Sequence, residues 1–159
     1  MVPVARTIAR AGHGRLVVAR LLNSARGWDE ARTPVDDAHA ALDELADRWP
    51  GAPLALVGHS LGGRAALLAG SHPGVRAVVA LNPWVYGEDD ADLTGRRVLV
   101  VHGTEDRIAP PKRARQVAQR IGLRTDVTWR EVEGGKHAML SHGRTFEQAA
   151  AEFVVETLG

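Results

Sequence analysis

A chain of 159 residues is the size of one domain, and with 45% hydrophobic and 25% charged residues it is composed like an ordinary globular protein. Its formal charge of +1, from 20 Lys plus Arg against 19 Asp plus Glu, provides no global field for nucleic acid or an anionic membrane. The absence of cysteine excludes disulfides, thiolate nucleophiles and Cys-based metal sites.

The opening residues, Met1-Val-Pro-Val-Ala-Arg-Thr-Ile-Ala-Arg, are too polar for the apolar region of a signal peptide, and no run approaches the roughly 18 apolar residues of a membrane span. The expected location is cytoplasmic. The first apolar run, Arg15–Leu22, is predicted as a strand. Pro34 to Trp49 follows as a helix, with Val35, Ala38, Leu42, Leu45 and Trp49 on one face, Pro34 in the first turn and Pro50-Gly51 as the stop.

Pro53–Gly58 is the second predicted strand, and Ala65–Ala69, apolar all round, a buried helix close behind it. Val75–Leu81 and Arg97–His102 are further strands. After Pro110, Ala114, Val117, Ala118 and Ile121 have helical spacing and Gly122 ends the run; Lys112-Arg113-Ala114-Arg115 falls on the polar face of that helix and is read as solvated rather than phosphate-binding. Asp126–Val132 is the fifth strand. A final helix is marked by a capping box, Thr145 with Gln148, and by a stripe of Phe146, Ala149, Ala150, Phe153 and Val154.

Largely apolar strands alternating with amphipathic helices specify an α/β fold: a mostly parallel sheet of about five strands flanked by helices, with residues 1–159 forming a single domain.

Within this frame, Gly58-His59-Ser60-Leu61-Gly62 has the pattern Gly-X-Ser-X-Gly. It stands between a buried strand, Leu54-Ala55-Leu56-Val57, and a helix opened by Gly63-Arg64-Ala65, the strand, turn and helix setting such a serine needs. A strained turn with positive φ lifts the hydroxyl above the sheet, and side chains at Gly58 or Gly62 are expected to strike neighbouring backbone. The helix N-terminus favours developing negative charge, which makes the backbone N–H of Leu61 an oxyanion donor.

Serine needs a base to remove its proton and an acid to orient that base. Val98-Leu99-Val100-Val101-His102-Gly103-Thr104-Glu105-Asp106 is a strand opening into a loop with Asp106 just past its end, and Gly134-Gly135-Lys136-His137-Ala138-Met139 places His137 in a glycine-rich loop after the last strand. Rival acids are Glu105 and, in the loop after the third strand, Glu88, Asp89, Asp90 and Asp92; the rival base is His142. His59 and His102 read as packing or turn residues whose roles stay open.

In motif order and placement the chain resembles the α/β-hydrolases from about Leu16 to its C-terminus. The resemblance implies that Ser60 is the nucleophile, His137 the general base and Asp106 the acid, acting without a cofactor on a small-molecule ester, thioester or related acyl substrate. No dinucleotide or P-loop fingerprint is present: Gly12-His13-Gly14 precedes a strand and lacks the third glycine. The seven histidines have no metal-ligand spacing, so no metal is expected. The segment between Pro83 and Arg97 is too short for a lid domain. Trp28, Trp84, Tyr86 and Met139, on loops at the strand ends, are the candidate substrate contacts.

Aligned on the serine turn, the strand at Arg15–Leu22 corresponds to the family's fourth, so the first three have no counterpart. The third is central in that family and the loop after it carries the second oxyanion donor, whose loss lowers rates by about 10²–10³. The expectation is a truncated α/β-hydrolase fold, begun at an internal methionine of a longer protein; the alternative is a reduced form in which the segments around Val18 and Leu56 pair directly. The rival functional reading is an inactive hydrolase-like fragment, or an interaction module that forms homo-oligomers through an exposed sheet edge.

Overall fold

A computed structural model describes residues 1–159. The elements in chain order are α1 (Val2–Ala11), α2 (Thr33–Arg48), β1 (Leu54–His59), α3 (Leu61–Ala69), β2 (Val75–Leu81), β3 (Arg97–Gly103), α4 (Pro111–Ile121), β4 (Asp126–Val132) and α5 (Gly143–Leu158). The four strands form one sheet in the order β1-β2-β3-β4, with every pair parallel. No helix is long and apolar enough to cross a membrane.

Period-2 alternation along the central strands explains why both faces are covered. Val78 and Ala80 of β2 and Val98 and Val100 of β3 join Leu42 of α2, Leu67 of α3 and Val117 and Ile121 of α4 in one core. Ala77, Val79 and Leu81, with Leu99 and Val101, turn to the opposite face and meet Val4 and Ile8 of α1 and Phe146, Phe153 and Val154 of α5. Each large apolar side chain so enclosed contributes on the order of 1.5–3 kcal/mol. β1 is only partly covered, with Leu54 to Val57 half-buried.

Three sequence expectations are corrected. Arg15–Leu22 is not a strand: it has no ladder with β1, whose only partner is β2, so the direct pairing around Val18 and Leu56 is not formed. Leu16 and Val18 still pack against the core, but Val17 is 69% and Leu22 83% exposed. Without a neighbouring strand to satisfy its N–H and C=O groups, an apolar run has no reason to adopt ladder geometry. Second, the Thr145–Gln148 capping box does not form. α5 begins one turn earlier, with His142 at its N-cap and no side-chain cap, so Thr145 lies inside the first turn and its N–H donates to the His142 carbonyl. Third, α2 ends at Arg48, and Trp49 stands 37% exposed beneath the Arg48 guanidinium rather than on the buried face.

Candidate active site

Ser60 is the residue between β1 and α3 and has φ 56° and ψ −121°, a conformation that non-glycine residues rarely adopt. Backbone bonds hold it there. Its N–H donates to the Leu81 carbonyl at 3.0 Å, and its own carbonyl accepts from Arg64 and from Trp84, each at 3.1 Å. Gly58 permits the turn, because a Cβ there would lie 2.0 Å from the Gly62 oxygen. Gly62 does not serve the steric role expected of it: a Cβ at that position would meet nothing within 4 Å. Leu61 opens α3, where a backbone N–H has no carbonyl one turn earlier in the helix to bond.

Asp106 lies three residues beyond β3 with its side chain wholly buried. Its Oδ1 accepts the N–H groups of Ile108 and Ala109, both at 2.9 Å, and its Oδ2 faces His137 Nδ1 at 2.8 Å. His137 Nε2 in turn stands 2.9 Å from Ser60 Oγ, with the side chain 14% exposed. An ionised carboxylate can only accept, so Nδ1 carries the proton and Nε2 presents its lone pair to the Ser60 hydroxyl, which donates. The three side chains, 46 and 31 positions apart in successive steps along the chain (106 − 60 and 137 − 106), form one continuous hydrogen-bonded line.

The rival groups are engaged elsewhere or lie exposed. Asp89 makes a two-pronged ion pair with Arg64, Asp90 pairs with Arg124, Asp92 accepts from Thr94, and Glu88 and Glu105 are exposed. His142 Nδ1 lies 3.2 Å from the Ser141 hydroxyl.

His59 and His102 flank the line of three. His59 Nε2–H donates to the His137 carbonyl at 2.7 Å, and the two rings sit 4.9 Å apart. His102 is enclosed below Asp106, stacked on Trp129, with Nε2–H donating to the Ala109 carbonyl at 2.9 Å and Nδ1 buried without a partner. Burial, which penalises the charged imidazolium, holds both rings below the ordinary 6.5.

Sequence reasoning passed over Asn82, which follows β2 directly. It is fully buried, φ is 42°, and both polar atoms of its amide are partnered: Nδ2–H donates to the carbonyls of Lys136 (3.1 Å) and His137 (3.2 Å), and Oδ1 accepts from the Gly103 N–H (2.8 Å). The available signal was an amide closing the run Val75–Leu81, apolar from Ala77 onward, and followed by proline.

Of the expected substrate contacts, Trp28 and Tyr86 come together, but across Arg64, whose guanidinium lies 4.0 Å and 4.4 Å from their ring centroids. Trp84 reaches the serine turn through its backbone N–H. Met139, at φ 55°, packs against the α1–α5 core. No group of three or more His, Cys, Asp or Glu side chains is arranged to hold a metal ion.

Comparison with known proteins identifies the family and the fold. The family described as serine aminopeptidase, S33 (Hydrolase_4) matches residues 7–95, which include the Ser60 turn. Cutinase est1 of Thermobifida alba is 28% identical over 137 residues, covering 80% of this chain; the chain spans 45% of that relative's length. An α/β serine hydrolase homologue from Coxiella burnetii, 21% identical, superposes with a TM-score of 0.71 over 94% of this chain and 75% of its own. The esterase domain of a Rhodothermus marinus protein, 19% identical, does so with a TM-score of 0.69 over 100% and 82%. At these identities the superpositions establish the shared fold. With more than half of its residues matched by the family and its four parallel strands superposing on α/β hydrolases, this chain belongs to the serine aminopeptidase S33 family.

Proposed function

We propose that the chain is a carboxylesterase-like serine hydrolase that cleaves an ester, thioester or related acyl bond with Ser60, His137 and Asp106. One observation carries this reading: His137 bridges the Ser60 hydroxyl and the buried Asp106 carboxylate at 2.9 and 2.8 Å, with Ser60 held in a strained turn at the N-terminus of α3. That arrangement matches the requirement of nucleophilic acyl transfer for a nucleophile, a base within reach and a fixed orienting acid.

In the proposed mechanism Ser60 Oγ attacks the acyl carbon as its proton passes to His137 Nε2. The carbonyl π electrons move onto oxygen, where the Leu61 N–H and the positive end of α3 stabilise the charge. Asp106 keeps Nδ1 as a donor and balances the imidazolium that forms. Collapse of the intermediate expels the alcohol or thiol, which takes the proton from Nε2 and leaves an acyl-Ser60 ester. Water, deprotonated by the same Nε2, then releases the acid and restores the hydroxyl. The chemistry uses protein groups and water.

Small or medium acyl substrates suit the short connection between β2 and β3, which brings Trp84 to the serine turn and places Tyr86 against Arg64. The name cutinase, carried by the relative from Thermobifida alba, favours an ester over an amide. p-Nitrophenyl acetate and butyrate test the reading: turnover should exceed background in the wild-type chain and return to background in Ser60→Ala and His137→Ala. Equal turnover in wild type and Ser60→Ala would remove the assignment.

A second reading rests on the edge of β1 that carries no ladder, beside half-buried Leu54, Leu56 and Val57. An open parallel edge is a template for pairing with another chain, including a second copy. Size-exclusion chromatography tests it: concentration-dependent oligomers favour the edge as an interface, and a monomer at all concentrations opposes it.

A further inference from the structure

We propose that Asn82 is a positioning residue that sets the base-bearing loop against the acid-bearing loop, an inference that rests on reading Ser60, His137 and Asp106 as a catalytic triad. The base and the acid sit on separate loops, after β4 and after β3, and their Nδ1 to Oδ2 distance of 2.8 Å is only as well defined as the distance between those loops. Asn82, at the end of the strand between β1 and β3, spans both. Its Oδ1 fixes Gly103, where the acid loop begins, and its two Nδ2 hydrogens fix the carbonyls of Lys136 and of His137 itself.

The chemistry of the position requires this amide. Gly103 presents a donor and the other loop two acceptors, so the bridging side chain must accept on one side and donate twice on the other, which a carboxylate, a hydroxyl or an alkyl group cannot do. Asn82 is 0% exposed and holds φ at 42°, a backbone conformation that asparagine tolerates better than other non-glycine residues. Its backbone N–H is also used, donating to the Val101 carbonyl at 2.8 Å. His59 supplies a second hold on the His137 carbonyl, from the strand that carries the nucleophile. The carbonyl of the base is thus tied to the nucleophile by His59 and to the acid by Asn82. Asn82 reaches no reacting atom; it acts through His137 and Asp106.

Two variants of the full chain test this. Asn82→Asp keeps the acceptor for Gly103 but turns oxygen lone pairs toward the two carbonyls. Asn82→Gly accepts the positive φ without strain and removes all three bonds. Each is compared with wild type, well below its own melting temperature, by the rate of covalent labelling with a fluorophosphonate. The second readout is the NMR resonance of the proton between His137 Nδ1 and Asp106 Oδ2, assigned by its loss in Asp106→Asn. A positioning role predicts labelling slowed about tenfold or more, since displacements near 1 Å cost up to about 10² in rate, together with a shifted or exchange-broadened resonance. A merely structural role lowers the melting temperature and changes neither. A folded variant that labels within threefold of wild type, or whose resonance is unmoved, overturns the proposal. Wild-type protein that fails to label at Ser60 strikes the hydrolase reading instead, and the resonance alone then decides for or against Asn82.

Discussion

Replacing Gly103 by alanine would separate the acid from the base without touching either. Gly103 ends β3 and lies back to back with Gly135 of the base loop: a Cβ at 103 would stand 2.2 Å from the Gly135 oxygen and 2.4 Å from its carbonyl carbon. Ordinary contact begins at 3.4 Å, so the loops must part by about 1.2 Å (3.4 − 2.2). The bonds that resist are the Asn82 bridge from Gly103 to the Lys136 and His137 carbonyls and the direct clasps: Glu105 N–H to the Gly135 carbonyl at 3.0 Å, Thr104 N–H to the Val132 carbonyl at 3.0 Å, and Gly134 N–H to Thr104 Oγ1 at 2.9 Å. If the separation falls along the His137–Asp106 line, 2.8 Å becomes about 4 Å and the hydrogen bond is lost. The expected effect of Gly103→Ala is a kcat lowered about 10²-fold and a stability loss of about 1–3 kcal/mol from overpacking. Gly62→Ala is the control, since its Cβ meets nothing within 4 Å. The assay is p-nitrophenyl ester turnover per folded molecule, with circular dichroism to establish folding. A Gly103→Ala protein with kcat within threefold of wild type would refute the reasoning.

Three further outcomes follow from the same contacts. Asp106→Asn keeps Oδ1 as acceptor for Ile108 and Ala109 but turns an amide donor toward His137 Nδ1, favouring the wrong tautomer; kcat should fall by about 10⁴ with an unchanged circular dichroism spectrum. Burial holds the imidazoles of His59 and His102 below 6.5, so the unfolded chain binds protons more readily than the folded one. Their contribution to stability is therefore complete above about pH 7 and is lost as pH falls through the depressed folded values. Thermal melting should shift downward between pH 7 and pH 5, and an upward shift would contradict the burial argument. Phe146→Ala removes a fully buried ring from the α1–α5 core and should cost about 3–5 kcal/mol in urea unfolding.

Features set by local pattern were legible in the sequence. The runs at Val75–Leu81 and Asp126–Val132 became β2 and β4 with the same bounds: β2 because a β-branched, mostly apolar segment between turn residues has few alternatives in a covered sheet, and β4 because Val127, Thr128, Trp129 and Val132 favour strand geometry beside β3. That the side chains of Ser60, Asp106 and His137 meet was legible because each lies in the turn or loop after a strand; their catalytic roles belong to the proposed function. Arg15–Leu22 was misread because strand formation depends on a partner that composition does not reveal. The Thr145–Gln148 pair fitted the capping pattern, yet the helix started a turn earlier at Gly143. Asp89 and Arg64 are separated by 25 positions, and nothing local marks them as a buried ion pair between Trp28 and Tyr86. Asn82 is marked only by its place between the strand run and Pro83, because all three of its side-chain partners are backbone groups, which leave no residue-type pattern for what it bonds.

The central claim is that Ser60 is a nucleophile activated through His137. Treatment of the purified chain with a fluorophosphonate, followed by intact-mass and peptide mass spectrometry, tests it most directly. One adduct per chain is predicted, on the peptide containing Ser60, with labelling abolished in Ser60→Ala and strongly slowed in His137→Ala. An unlabelled wild-type chain, or labelling that survives Ser60→Ala, would contradict it.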